Sequence, residues 1–113
     1  MKNEYAGRAL TFCRDVTGST YRQIPRASSC DAFIKEHPEL IDTTTDQPVG
    51  AVVMFRSRGG RNYGNAFVAL RHGLMLGVSL AGYVEWATRE QVEVDYNQEY
   101  AGWVALWIPE EES

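Results

Sequence analysis

An α+β domain, with N-terminal helices packed on a small antiparallel sheet or half-barrel, is the fold this 113-residue sequence predicts. Three observations carry that expectation. The length allows one domain, 1–113, with one core. Apolar residues recur at three- and four-residue steps over about 3–17, which is the period of a helix face. From residue 51 onward the pattern changes to short apolar runs divided by glycines, which reads as strands and turns. Helices followed by a run of strands is an α+β order.

The first helix, about 3–17, would bury Ala6, Ala9, Leu10, Cys13 and Val16, with Gly18 as its stop. A second helix is expected from about Pro25 to Glu36, because proline suits a first helical turn. Ala27, Cys30, Phe33 and Ile34 would face the core, and His37-Pro38 would end it, since the residue before proline leaves the helical region. A polar connector, residues 43–48, leads into the strands.

Five strands are expected: 51–55, 66–70, 74–78, 83–86 and 103–108. A glycine- and arginine-rich loop over 56–64 joins the first two, and His72-Gly73 makes a tight turn between the second and third. Thr88 is placed to cap a brief helical turn, with Gln91 at the capping-box position. Trp86, Trp103 and Trp107 lie on or beside strands among small residues, a setting that favours the core. Pro109 closes the last strand, and Glu110-Glu111-Glu112 makes 109–113 an acidic, solvated tail.

The composition is that of a globular chain, with 44% hydrophobic and 23% charged residues. No apolar run reaches the roughly 18 residues that span a bilayer, and the first residues lack a signal peptide's apolar stretch. A cytoplasmic protein is therefore expected. The two cysteines have no metal-ligand spacing, and neither a metal nor a cofactor is expected. Among the cations, arginine outnumbers lysine nine to two. Arginine's planar fork suits phosphate and carboxylate better than lysine's point charge does.

Four segments, taken in order, resemble the CHAP/NlpC group of papain-like cell-wall hydrolases, in particular its phage-encoded members. Ala9-Leu10-Thr11-Phe12-Cys13-Arg14 is similar to the group's first helix. Pro48-Val49-Gly50-Ala51-Val52-Val53-Met54-Phe55 is similar to its first strand. Tyr63-Gly64-Asn65-Ala66-Phe67-Val68-Ala69-Leu70 is similar to the strand that carries its histidine. Tyr100-Ala101-Gly102-Trp103 resembles a motif near the end of some phage members. The resemblance implies a papain-like fold and a cleft between the first helix and the sheet.

The resemblance also implies which residues would act, and here the sequence departs from the group. The family's nucleophilic cysteine falls at Ala9, whose methyl group cannot attack a carbonyl. Its histidine falls at Asn65, or at Ala66 if the gap is placed differently. Asparagine does not shuttle protons near neutral pH. The third, orienting position falls near Ser79 to Ala81. Cys13, one helical turn beyond Ala9, and His72 are the only substitutes for the thiol and the base.

The expected function is thus a catalytically inactive CHAP/NlpC-like protein that binds a ligand in the vacated cleft. A small anionic, nucleotide-derived ligand suits the basic residues, and sequestration of a host immune signal by a phage-encoded protein is a concrete form of this reading. The candidate binding residues are Tyr5, Arg8, Arg22, Arg26, Arg56, Arg58, Arg61, Tyr63 and Asn65. Glycines in the 56–64 loop would expose amides to an anion, its arginines would pair with phosphate, and Tyr63 would stack on a base. Two alternatives stand beside this reading. One is a cysteine amidase or endopeptidase that uses Cys13 and His72 on peptidoglycan. The other is a protein-interaction module or an inhibitor of a host protein.

Overall fold

The protein is described by a computed structural model covering residues 8–19, 24–45, 47–59, 63–79 and 82–105. Over these described residues it is an α+β structure with three α-helices and a five-stranded antiparallel sheet. Helix α1 is Ala9–Thr17, α2 is Cys30–Glu36 and α3 is Arg89–Asp95. The strands are β1 (Val52–Ser57), β2 (Asn65–Ala69), β3 (Leu74–Val78), β4 (Val84–Thr88) and β5 (Gln98–Val104). Their order in the sheet is β4-β3-β2-β1-β5, a meander with β5 returned to the outer side of β1.

Helix α1 stops where expected. Gly18 takes the left-handed conformation at φ 71° and its N–H bonds the Arg14 carbonyl. Of the expected face, Leu10 and Cys13 are buried and Ala9 packs against the core, but Val16 is 49% exposed, and Phe12 and Arg14 are buried as well; Ala6 lies outside the described residues. The helix ends with Val16 turned to solvent, and its buried side is carried by Leu10, Phe12, Cys13 and Arg14.

Helix α2 begins five residues later than Pro25. The Ser29 hydroxyl caps it by accepting from the Ala32 N–H at 3.1 Å. The carbonyls of Ile24 and Pro25 instead accept from the Arg14 side chain at 2.9 and 3.1 Å. The segment before α2 therefore runs along α1 rather than winding into a helix. Cys30 and Phe33 face the core, and Ala27 and Ile34 pack against it.

Two core clusters lie on opposite sides of the sheet. Leu10, Cys13, Cys30 and Phe33 meet Val52, Met54, Ala66, Val68 and Val78 under α1 and α2. On the other side Val53, Phe55, Phe67, Met75 and Ala87 pack beneath α3 through Val92. The alternation of β1 residues between the two clusters follows from the strand's two-residue period. Each fully buried Phe stabilises the fold by about 1.5–3 kcal/mol.

The cap of α3 is as expected: Thr88 Oγ1 accepts from the Gln91 N–H while the Gln91 side chain accepts from the Thr88 N–H. Strand β5 starts at Gln98, five residues before the apolar run that pointed to it. Its polar first half pairs with the outer end of β1, Arg56 with Glu99 and Ser57 with Gln98. Between Met54 and Phe55 the register shifts by one residue, and Ala101 bulges. Trp86 is not in the core; it is 64% exposed on β4. Trp107 and the acidic tail lie outside the described residues.

Candidate functional site

A cleft of about 570 Å³ opens between α1, the start of α2 and the adjoining ends of β2 and β3. The first turn of α1 forms one wall, with Arg8, Ala9 and Thr11. The opposite wall is Tyr63, Gly64 and Asn65, and Val78 and Ser79 continue it. The two positions where the resemblance places a nucleophile and a base, Ala9 and Asn65, thus face a common space. So does Ser79, the polar candidate for the third position; Leu80 and Ala81 lie outside the described residues.

Asn65 is buried, and its amide is fixed at both ends. Nδ2 donates to the Val78 carbonyl at 3.1 Å, and Oδ1 accepts from the Ala66 N–H at 2.9 Å. Each end keeps one further hydrogen-bonding capacity. Ser79 is less committed: its hydroxyl accepts from the Tyr83 N–H at 3.2 Å.

The first turn of α1 has no side-chain cap, and the Arg8 side chain is exposed at the rim. Tyr63 is 78% exposed on the facing rim. Its backbone is held, since its carbonyl accepts from the Asp31 N–H at 3.0 Å. The Asp31 carboxylate in turn accepts from the Ser57 N–H at 2.9 Å and from the Ser57 hydroxyl. One α2 residue therefore clamps both ends of the β1–β2 loop. Gly64 lies inside this clamp at φ 78°, where an added Cβ would come within 2.6 Å of the Phe55 carbonyl and 2.7 Å of the Asp31 carboxylate. Only glycine fits there without displacing backbone.

The loop arginines are directed elsewhere. Arg56 pairs with Glu99 at 3.2 Å, and Arg58 donates to the Gln98 carbonyl at 3.3 Å, so both lean on β5 rather than lining the cleft. Arg26 is exposed and does not line it either. Tyr5, Arg22 and Arg61 lie outside the described residues.

Arg14 is the residue that sequence reasoning passed over. It is only 8% exposed, lines the cleft, and spends its fork on the Ile24 and Pro25 carbonyls. Its spacing held the signal: four residues after Leu10, an arginine falls on the helix stripe that enters the core.

Cys13 and His72 are not brought together. Cys13 is fully buried in the core beneath α1, and burial, reinforced by the neighbouring Cys30, pushes its thiol well above the ordinary range. Such a thiol stays protonated at neutral pH and is a poor nucleophile. His72 stands exposed in the β2–β3 turn at φ 61°. The full length of β2 separates it from Asn65, at about 3.3 Å per residue. Cys30 borders the cleft, yet it is also buried and its pKa is pushed up to about 12, chiefly by burial and then by Asp31.

Among the described residues, no group of three or more His, Cys, Asp or Glu side chains is arranged to hold a metal ion, and no helix is long and apolar enough to cross a membrane. No protein-family model, curated protein or solved structure matches the chain.

Proposed function

We propose that this chain is a catalytically silent, papain-like binding protein that takes a small anionic, nucleotide-like ligand in the cleft between α1 and β2. One observation supports the reading: Ala9 and Asn65, where the resemblance would put a cysteine and a histidine, line the same 570 Å³ space and offer it a methyl group and an amide. That volume lies within the roughly 300–1,000 Å³ of small-molecule sites. Asn65 and the hydroxyls of Thr11 and Ser79 offer directional hydrogen bonds, and Arg8 offers a guanidinium for phosphate or carboxylate. Tyr63, exposed on the opposite rim, offers a face for a base.

A binder without chemistry acts by lowering the free concentration of its ligand. Sequestration of a nucleotide-derived immune signal, by a phage-encoded protein in its host's cytoplasm, is the biological form of this proposal. The burial of Cys13 speaks against the rival reading of a peptidoglycan amidase.

The test is the melting temperature of the protein against a panel of cyclic and linear nucleotides, with peptidoglycan fragments alongside. A ligand at a hundredfold excess over its Kd stabilises the folded state by about 2.7 kcal/mol. The expected result is a shift with a phosphorylated nucleotide that Arg8→Ala diminishes without lowering the melting temperature of the free protein. A shift with peptidoglycan fragments alone, or with no member of the panel, sinks the proposal.

A further inference from the structure

Among the described residues, β4 is the edge strand at the side of the sheet away from β5. The Ser79 N–H bonds the Tyr83 carbonyl at 2.7 Å, and the register pairs Gly77 with Glu85 and Met75 with Ala87. In an antiparallel ladder bonded and non-bonded pairs alternate. Tyr83, Glu85 and Ala87 therefore turn their backbone groups toward β3, and Val84 and Trp86 turn theirs outward. The opposite edge is managed differently: β5 exchanges two hydrogen bonds with Asp42 at Trp103.

The side chains of β4 divide by face. Val84 and Trp86 stand opposite Val78 and Leu76 on the α1 face and are 41% and 64% exposed. Glu85 points to the α3 face, where its carboxylate accepts from the Tyr96 hydroxyl at 2.5 Å. Asp95 adds a second negative charge beside Tyr96. Arg89, at the opposite end of α3 from Asp95, stands over the Tyr100 ring at 5.2 Å. The strand has none of the lysines, prolines or bulges that usually guard an edge.

We infer that the free edge of β4 is a docking strand for an extended segment of a partner protein in which apolar and basic residues alternate. Outward N–H and C=O groups at Val84 and Trp86 continue the ladder into the partner, the mode of strand addition. The partner's apolar side chains then cover Val84 and Trp86, and its lysines or arginines fall on the other face against Glu85 and Asp95. Charge favours a basic partner over a second copy in the register that sets Val84 against Trp86. In a second copy paired about a two-fold axis, Val84 meets Trp86 of the other chain only if Glu85 faces Glu85, and like charges opposite one another are unfavourable.

The probe is an end-capped eight-residue peptide of alternating lysine and valine, with a glutamate–valine peptide as its counterpart. Amide hydrogen exchange of the full chain is the readout. The lysine peptide is expected to slow exchange at Val84 and Trp86 by about tenfold, and added salt is expected to weaken the effect. Val84→Pro removes only an outward N–H, which an edge strand tolerates; it is expected to abolish protection at Trp86 while the melting temperature holds. Trp86→Thr, a second strand-compatible change, is expected to weaken binding as well. Unchanged exchange, equal protection by the glutamate peptide, or sedimentation of the free protein as a dimer overturns the inference.

Discussion

The side-chain amide of Asn65 donates to the carbonyl of Val78 and so ties β2 to β3 beyond their last ladder pair, Phe67 with Gly77. A polar side chain here does the work of a backbone rung while standing in the wall of the cleft. Replacing Asn65 with alanine strands the Val78 carbonyl and the Ala66 N–H. The expected cost is about 1–3 kcal/mol, read from urea denaturation. A loss below a few tenths of a kcal/mol would show that water replaces the amide freely.

Ala9 lines the cleft, whereas both native thiols are buried. A cysteine installed at Ala9 is therefore expected to react with a disulfide reagent in the folded protein, while the wild type stays silent until it unfolds. Adding Asn65→His to Ala9→Cys is expected to move the midpoint of that reaction to lower pH, because a nearby imidazolium favours the thiolate. An unshifted midpoint would mean that positions 9 and 65 do not face each other closely enough to pair.

Gly64 is wedged between the Phe55 carbonyl and the Asp31 carboxylate at positive φ. Gly64→Ala is expected to cost about 1–3 kcal/mol through backbone strain alone, with more from the clash. Asp31→Ala relieves part of the clash while releasing Ser57. The two substitutions should therefore combine non-additively in a double-mutant cycle. Simple additivity would separate the loop's backbone strain from the Asp31 clamp.

Cys30 has a folded-state pKa of about 12 against an ordinary 9.0, raised mainly by burial. Because the folded value is the higher one, the neutral thiol's contribution is fully present below about pH 9. It is lost as pH rises toward about 12. The midpoint of urea unfolding should fall over that window, and Cys30→Ala should flatten part of the fall. Cys13 acts in the same direction, so a residual slope in that variant is expected. A wild-type midpoint that does not change across the window would place the thiol in contact with solvent.

The sequence was legible where local chemistry and burial agree. β3 falls on the expected residues, and the Thr88–Gln91 capping box is made in full. Gly18 ends α1 by the expected left-handed turn. It misled where a tertiary partner overrides a local preference. Pro25 looks like a helix start, but its carbonyl is claimed by Arg14. Gln98, Glu99 and Tyr100 precede the apolar run that marks the last strand, yet they complete β5 because β1 extends outward to meet them. Trp86 looks like core because tryptophan usually is, but nothing in the residue itself reveals that its strand lies at an edge.

The cleft was legible in part. Ala9 and Asn65 lie 56 residues apart, and no local pattern in the residues themselves shows that they line one space. Arg56 and Arg58 looked like a phosphate cradle because local sequence cannot show that Glu99 and the Gln98 carbonyl engage them. Arg14 was hidden for the opposite reason, a charged residue within an apolar stripe.

Arg14 also joins two properties that are usually separate. The residue that forms part of the cleft wall also fastens, through its guanidinium, the incoming segment at Ile24 and Pro25 to α1. A visiting molecule thus meets a surface whose shape is set during folding, and little ordering of this wall remains to be done on contact. The same economy narrows the chain's freedom to change. Lysine keeps the charge but lacks a planar fork to reach two carbonyls at once, so retuning the cleft at this position would also loosen the path of the chain into α2.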